Sequence, residues 1–119
     1  KESIVHDNYK RRVLAAKDID SEVTGMSHGH PVRQLRNQMT RDYLKLEKAG
    51  APFEELEQLT LGALRKAVVE GDVVNGTLMA GQIAGLVHKE QTCEEMICEI
   101  MEQAEKLLMG GCCGKGLGE

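Results

Sequence analysis

The segment that says most about this chain runs Gly76-Thr77-Leu78-Met79-Ala80-Gly81-Gln82-Ile83-Ala84-Gly85. Its pattern predicts a helix of small residues over positions 77–87. A glycine inside a helix costs about 1 kcal/mol relative to alanine, and this helix would contain two. Two interpretations stay open. Either the glycines let a neighbouring helix or sheet pack closely, or the free N–H groups at the helix N-terminus face an anionic ligand, with Gln82 presented to it.

The residues upstream alternate between helical patterns and loop signals. A first helix is capped by Asp7 or Asn8 and runs to about Lys17, and the weak alternation after it allows one short strand over 19–23. Positions 25–31 are predicted to form a loop because they hold two glycines, a serine and a proline.

Pro31 suits the first turn of a helix, and the next helix is predicted to begin there. Apolar residues recur after it every three or four positions, at Val32, Leu35, Met39, Tyr43 and Leu46. A further helix begins after residues 49–52 and reaches Val68, with Gly71 as its C-terminal cap.

The last helix is predicted from a capping box. Thr92 and Glu95 have the Thr-x-x-Glu spacing, in which each side chain satisfies a backbone N–H of the other residue. The helix runs through Leu108. Residues 109–119 are rich in glycine and are predicted to form a disordered tail.

Composition excludes several classes of protein. The chain has 119 residues and a net charge of −4, which suits one small domain and argues against a basic nucleic-acid-binding protein. No apolar run approaches the roughly 18–20 residues of a membrane span. Aromatic residues make up only 3%, so the core must rely on aliphatic packing or on a missing partner. Because the chain opens at Lys1 without a methionine, we expect it to begin inside a longer protein.

The placement of the four cysteines favours free thiols in a reducing cytoplasm. Cys93 and Cys98 lie five positions apart in a helical pattern and therefore on different sides of the helix. Cys112 and Cys113 are adjacent in the tail. Disulfides are the alternative for the set, and a soft-metal site is the alternative for the adjacent pair.

Candidate chemistry concentrates in His28-Gly29-His30-Pro31 and in Arg33 and Arg36 after it. Two histidines one residue apart suit a metal, but no second pair of ligands completes a site. Arginine pairs with phosphate and carboxylate oxygens, so this region favours recognition of a phosphate or an acidic partner, with a solvated charged face as the alternative. No known catalytic motif is present, and we assign no catalytic or metal-binding residue.

Four stretches together resemble one family. They are Lys1-Glu2-Ser3, the pattern Gly29-His30-Pro31-Val32-Arg33-x-x-x-Asn37, Gly71-Asp72, and Met79-Ala80-Gly81-Gln82-Ile83-Ala84-Gly85-Leu86-Val87. From Lys1 to about Leu108 the chain is similar to the C-terminal part of the FMN-dependent enoyl-[acyl-carrier-protein] reductases II. These are bacterial members of the nitronate monooxygenase (2-nitropropane dioxygenase) superfamily.

The resemblance implies an α/β fold class, as the C-terminal part of a (β/α)8 TIM barrel with an inserted, mostly helical lid domain. The chain itself would be mostly α with one or two short strands. On this template residues 1–3 end the barrel strand region and 4–69 form the lid. Residues 70–108 return to the barrel with a flavin-facing helix and a closing helix.

The resemblance also implies a reaction, in which NADPH or NADH reduces trans-2-enoyl thioesters through FMN in bacterial fatty acid synthesis. The implied cofactor-binding residues are Met79, Ala80, Gly81 and Gln82. Those implied on the substrate or NAD(P)H side are His28, Arg33 and Asn37. The partners would be acyl carrier protein and the missing N-terminal barrel portion, in a cytoplasmic homodimer that binds neither nucleic acid nor membrane. Because that portion carries the flavin phosphate site, the isolated chain is predicted to be inactive.

Two alternative functions stay open. The first is a fragment of a nitronate monooxygenase from the same superfamily. The second is a standalone small helical interaction module that holds an acidic partner with Arg33, Arg36 and Arg41.

Overall fold

A computed structural model describes residues 1–110 of the chain. The described part divides into two compact units, one formed by Ile4–Lys89 and the other by Lys1–Ser3 with residues 90–110. The predicted tail lies outside the described residues from position 111 onward, and so do Cys112 and Cys113.

Most of the regular structure is helical. The five α-helices of the described residues are α1 (Asp7–Leu14), α2 (Gln38–Lys48), α3 (Phe53–Thr60), α4 (Ala63–Arg65) and α5 (Cys93–Gly110). A π-helical turn at Lys66–Glu70 continues α4, and a 3-10 helix covers Gln82–Leu86. Two short strands, β1 (Ser21–Thr24) and β2 (Val32–Leu35), complete the set. The prediction of a mostly α chain with one or two short strands is confirmed.

The two strands form an antiparallel hairpin, with Ser21 opposite Leu35 and Thr24 opposite Val32. Its connection begins at Gly25, which has a φ of +78°. A Cβ atom at Gly25 would lie 2.2 Å from the carbonyl oxygen of His30. Only glycine combines that backbone conformation with so close an approach.

The predicted helix start at Pro31 is wrong. Residues Val32–Leu35 form β2, and the helix begins at Gln38. Asn37 sets this start because its side chain accepts from the Thr40 N–H while the Thr40 hydroxyl accepts from the Asn37 N–H. The apolar spacing through Val32 and Leu35 fits both a helix and a strand, and pairing with β1 selects the strand.

The predicted helix over 77–87 is also wrong. Residues 77–81 are not helical, Met79 bridges to Gln34 of β2, and only Gln82–Leu86 turn into a 3-10 helix. A Cβ atom at Gly85 would lie 2.8 Å from the Asp18 backbone nitrogen. Close packing therefore explains Gly85, whereas nothing lies within 4 Å of a Cβ atom at Gly81.

The helix predicted to reach Val68 is interrupted. Gly62 adopts a left-handed conformation, with a φ of +75°, between α3 and α4. The predicted cap at Gly71 is confirmed, with a φ of +72°. A Cβ atom at Gly71 would lie 2.3 Å from Nδ1 of His6, so the same residue ends the helical segment and lets the start of α1 approach it.

Two apolar clusters form the core of the unit Ile4–Lys89. The larger consists of Tyr9, Ala16, Leu35, Ala67, Leu78 and Ala84. The smaller joins α2 to α3 through Met39, Tyr43 and Leu56. Small residues supply much of the larger cluster, so its backbone segments approach one another closely.

The second unit is built on α5. The capping box is confirmed, because Thr92 N–H donates to Glu95 over 2.8 Å and Glu95 N–H donates to Thr92 Oγ1 over 3.1 Å. The backbone hydrogen bond from Thr92 lowers the pKa of the Glu95 carboxyl. Cys93 and Cys98 are free thiols, as predicted. Among residues 1–110, no helix combines the length and the apolar character that crossing a bilayer requires.

Candidate functional site

Residues 77–81, here called the Met79 segment, lie against the free edge of β2 and are joined to it by an isolated bridge between Met79 and Gln34. Leu35 N–H donates to the carbonyl of Leu78 over 2.9 Å, and Ala80 N–H donates to the carbonyl of Arg33 over 3.3 Å. The segment is therefore fixed by the hairpin rather than by helical hydrogen bonds of its own.

A second set of contacts holds this segment from its other side. The Tyr9 hydroxyl donates to the Met79 carbonyl over 2.6 Å, and Thr77 N–H donates to the carbonyl of Ala63 over 3.0 Å. Burial raises the pKa of Tyr9, so its hydroxyl keeps the proton that it donates. Both sides of the Met79 segment are thus hydrogen-bonded, which fixes the position of its backbone.

A cleft of about 310 Å³ opens beside this segment. Its apolar lining comes from Val32, Tyr43, Phe53, Leu64 and Met79. A volume of this order and a mostly apolar lining with a few polar groups are typical of small-molecule sites. The cleft is therefore the candidate ligand site of this unit.

Gln34 is the most deeply buried polar side chain on the cleft, with 1% of its surface exposed. Its Nε2 donates to Thr24 Oγ1 over 2.8 Å. Its Oε1 has no hydrogen-bond partner within the described part of the chain. A buried acceptor left unsatisfied costs about 1–3 kcal/mol, so Gln34 lowers the stability of the hairpin beneath the cleft.

The four residues expected to bind the cofactor are contiguous but differ in exposure. Met79 is 46% exposed and lines the cleft. Ala80 packs against the larger core cluster. Gly81 and Gln82 are exposed at the start of the 3-10 helix. Three of the four therefore have exposed surface, whereas Ala80 packs against the core.

The residues expected on the substrate side have side chains that contact other parts of the fold, although the Arg33 backbone is bonded to Ala80. His28 accompanies His30 near the ring of Phe53, with both ring centroids 5.8 Å from it. The Arg33 guanidinium donates to Ser21 Oγ over 3.0 Å. Arg36, named for acidic partners, pairs with Glu22 over 3.2 Å. Two of the three arginines suggested for an acidic partner thus already contact β1.

Asn37 has a structural position. It is 8% exposed, and its Nδ2 donates to the carbonyls of Val73 (3.1 Å) and Gly76 (2.7 Å). Its Oδ1 accepts from Thr40 N–H over 3.0 Å. Both amide hydrogens and the oxygen of Asn37 are hydrogen-bonded. Asn37 therefore has a structural role, because it joins α2 to the turn before the Met79 segment.

Electrostatics stabilise the loop that carries His28. Glu47 Oε1 accepts from Ser27 N–H (3.1 Å) and from Ser27 Oγ (2.7 Å). Burial alone would raise the pKa of Glu47, but the hydrogen bonds from Ser27 and the charge of His28 outweigh burial and lower it. The carboxylate therefore anchors the loop to α2 in its charged form.

Sequence reasoning missed Gln34, Thr24 and Tyr43 as cleft residues. Strand alternation would place Gln34 and Val32 on one face, but the helix predicted from Pro31 obscured that pattern. The Asn37–Thr40 capping box was the available signal, since Asn at the cap position begins a helix at Gln38.

An uncharged ring fits the Met79 segment better than a phosphate does. Nothing lies within 4 Å of a Cβ atom at Gly81, so a flat group can approach its backbone there. Residues 76–87 contain no charged side chain, whereas phosphate groups in proteins commonly pair with arginine or lysine. The segment therefore suits a flat, uncharged group better than a phosphate.

Comparison with known proteins gives concordant matches. The family model described as nitronate monooxygenase matches residues 1–103. The solved structure of FabK from Thermotoga maritima is 35% identical, with a TM-score of 0.80, and the match covers 89% of this chain and 33% of FabK. A methionine-to-alanine mutant of FabK is 31% identical, with a TM-score of 0.72 and coverages of 89% and 31%. The chain spans about one third of the solved structures that it matches.

Proposed function

The chain belongs to the nitronate monooxygenase family, and from this premise we propose that it acts as the C-terminal part of a flavin-dependent enoyl-[acyl-carrier-protein] reductase. The observation that carries the proposal is its likeness to FabK, an enoyl-[acyl-carrier-protein] reductase II, over most of its length. The enzyme would reduce trans-2-enoyl thioesters with NADPH or NADH and would bind acyl carrier protein.

The apolar surface of α5 supports a larger enzyme. No residue of this helix is buried, and its side chains include Ile97 at 63% and Leu107 at 78% exposure. Exposure of the apolar face of a helix to water costs about 25 cal/mol for each Å² of apolar surface. In the proposed enzyme α5 packs as the closing helix against the barrel portion, which buries this surface.

Hydrogen bonds within the compact unit Ile4–Lys89 support a second part of the proposal, namely that the lid is joined to the residues expected at the cofactor. Residues 4–69 would form the lid and 70–108 would return to the barrel. Because Met79 is bonded to Tyr9 and bridged to Gln34, residues of the lid would hold in place the segment of 70–108 that faces the flavin. We propose that His28 and Arg33 lie on the NAD(P)H side of the same enzyme, which assembles as a homodimer.

FMN would supply the hydride-transfer chemistry when bound. Met79, Gly81 and Gln82 would contact its uncharged ring, and Ala80 would hold the segment in place. The Met79 side chain offers an adaptable apolar wall. The hydrogen bond from Tyr9 orients the Met79 peptide, so the position of this wall is set before any ligand binds.

The reaction is tested on the full-length polypeptide that contains this chain, loaded with FMN. We expect oxidation of NADPH or NADH that depends on a crotonyl thioester. The variant Gly81→Leu fills the open space at the proposed ring position, and we expect it to lower FMN affinity at least tenfold. Its own backbone tolerates the change because φ is −73°. Unchanged FMN affinity and turnover in this variant would contradict the proposal.

A nitronate monooxygenase is the second candidate, favoured by the description of the matching family model. The same flavin-loaded polypeptide distinguishes the two. Oxygen-dependent oxidation of a nitronate, without reduction of the thioester, would establish this second function and exclude the first.

The isolated chain gives a further test of where the flavin is held. We expect the 119-residue chain to bind FMN too weakly for copurification and to lack reductase activity, because the Met79 segment provides no group for the phosphate. Stoichiometric flavin absorbance in the purified chain would disprove this.

A further inference from the structure

Asn75 and Gly76, in the turn before the Met79 segment, form the one asparagine–glycine pair of the sequence. We propose that this pair is a modification site, at which Asn75 loses its amide group through a cyclic imide, and that the side chain of Asp72 controls how fast the loss occurs. The site takes water as its co-reactant, and it does not depend on which reaction the enzyme catalyses.

The reaction follows from the chemistry of the two residues. The backbone nitrogen of Gly76 gives its proton to a base and attacks Cγ of Asn75. The new N–Cγ bond closes an imide ring while the Cγ–Nδ2 bond breaks and ammonia leaves. Water then opens the imide at either of its carbonyls, which gives aspartate or isoaspartate and consumes one water for each ammonia released. Glycine favours the attack because it has no side chain to crowd its nitrogen.

The fold exposes the amide group of this pair and restrains the attacking nitrogen. The Asn75 side chain is exposed, so water and base reach its carboxamide. Gly76 is buried, and its N–H donates to the Asp72 carbonyl over 3.1 Å. A nitrogen that keeps its proton in a hydrogen bond is a poor nucleophile. The turn therefore has to open locally before the imide forms.

The Asp72 carboxylate holds the turn closed. Its Oδ1 accepts from Val74 N–H over 3.0 Å and from Asn75 N–H over 2.9 Å, and its Oδ2 accepts from Asn75 Nδ2 over 3.1 Å. The leaving amide is thus held together with the backbone beside it. The hydrogen bond from Asn75 N–H lowers the pKa of the Asp72 carboxyl, so this group is charged at neutral pH. Its charge disfavours a second negative charge on the Gly76 nitrogen.

Conversion to isoaspartate affects the candidate site, because it adds one atom to the backbone directly before Gly76. The space around Gly76 is filled, since a Cβ atom there would lie 2.5 Å from the Asp72 carbonyl oxygen and 2.7 Å from Ala67 Cβ. The Gly76 carbonyl accepts from Asn37 Nδ2 over 2.7 Å, and we expect the added atom to break this bond. The modification thereby loosens the turn that precedes the Met79 segment.

The test follows the full-length polypeptide that contains this chain during incubation in neutral buffer at physiological temperature. Tandem mass spectrometry of proteolytic peptides measures the conversion of Asn75, and labelling by isoaspartyl methyltransferase detects the isoaspartate product. A second sample, kept unfolded in guanidinium chloride, gives the rate without the turn. We expect conversion in the folded protein to be slower by about tenfold or more, because only the open turn reacts.

Two variants assign the protection to Asp72. Asp72→Ala removes the charge and the acceptor of all three N–H groups, so we expect the folded variant to convert about tenfold faster than the unaltered protein. Asp42→Ala is the matched control, since it removes an exposed carboxylate of α2 that accepts from Gln38 Nε2 over 3.0 Å. We expect this control to leave the rate at Asn75 unchanged. Circular dichroism checks that both variants fold.

Three results would overturn the proposal: no conversion of Asn75 in the unfolded sample, equal rates in the folded and unfolded samples, or an unchanged rate in Asp72→Ala. If Asp72→Ala does not fold, Asp72→Asn replaces it. That variant keeps an acceptor for the two backbone N–H groups and loses the charged oxygen that binds Asn75 Nδ2. We expect it to convert about threefold faster than the unaltered protein, and an unchanged rate would overturn the proposal.

Discussion

Asn37 Nδ2 lies 2.7 Å from the carbonyl oxygen of Gly76, so the first turn of α2 is tied directly to the turn that precedes the Met79 segment. The same amide group also donates to Val73 and accepts from Thr40. One buried side chain thereby holds three parts of the backbone at the foot of the candidate site.

Replacing Asn37 tests this role. Asn37→Ala removes a helix cap and leaves two carbonyls without their donor, so we expect a loss of about 2–3 kcal/mol in the free energy of unfolding. The control Asn75→Ala affects an exposed side chain whose hydrogen bonds within residues 1–110 go to Asp72 alone, and it should cost about 0.5 kcal/mol or less. Urea denaturation followed by circular dichroism measures both. Equal stabilities of the two variants would argue against a structural role.

The second prediction concerns the approach of His6 to Gly71. Gly71→Ala introduces a left-handed alanine and a Cβ atom that displaces the His6 ring, which accepts from Asn8 N–H over 3.1 Å. Gly50 has a similar φ of +77° with nothing within 4 Å of a Cβ atom. We expect Gly50→Ala to cost about 1 kcal/mol from strain alone, and Gly71→Ala to cost about 1 kcal/mol more.

A double-mutant cycle tests whether the His6 ring causes the additional loss of stability in Gly71→Ala. With His6→Ala present, the added cost of Gly71→Ala should fall to that of Gly50→Ala, because the ring is gone. Thermal or urea unfolding of the four proteins supplies the coupling energy. A coupling energy near zero would show that the ring contact has no part in the cost.

The third prediction concerns the hydroxyl that holds Met79. Tyr9→Phe removes the 2.6 Å hydrogen bond to the Met79 carbonyl, so we expect a loss of about 1–2 kcal/mol in stability. Tyr43→Phe is the matched control, because the Tyr43 hydroxyl has no hydrogen bond to any described residue and its removal should change stability by about 0.5 kcal/mol or less. Amide hydrogen exchange at residues 79 and 80 should rise in Tyr9→Phe alone.

The fourth prediction concerns pH. The pKa of the Glu47 carboxyl lies below its ordinary value of 4.5. Burial would raise this pKa, but the hydrogen bonds from Ser27 outweigh burial. A lowered folded-state pKa means that this contribution to stability is complete above the unfolded pKa and is lost as the pH falls through the folded value. The Ser27 amide proton signal should therefore shift with a midpoint below 4.5. In Glu47→Gln we expect that titration to disappear, and a midpoint at or above the ordinary value would contradict the assignment.

Local signals in the sequence predicted the ends of several elements correctly. The Thr92–Glu95 capping box and the Gly71 cap are both present in the structure. Each depends on residues a few positions apart, so the information needed is contained within one turn of chain. The residues around Met79 likewise indicate the family from the sequence alone.

Tertiary contacts decided the segments whose apolar spacing suits more than one structure. Residues 32–35 form a strand because β1 pairs with them, and residues 77–80 are extended because β2 and Tyr9 bind their backbone. β1 and β2 are joined by a short loop, but β2 and Tyr9 lie far from residues 77–80 in the sequence. Their hydrogen bonds outweigh the weak preference of small residues for a helix, and that preference was lowered further by Gly81 and Gly85.

The sequence by itself determined the mostly helical class, the local caps and the family through residues that act within a short range. The tertiary structure alone decided that Gln34 and Met79 meet at one cleft and that Asn37 is engaged in the fold. The physical reason is that a cleft and an unsatisfied buried acceptor exist only once distant backbone segments pair and exclude water.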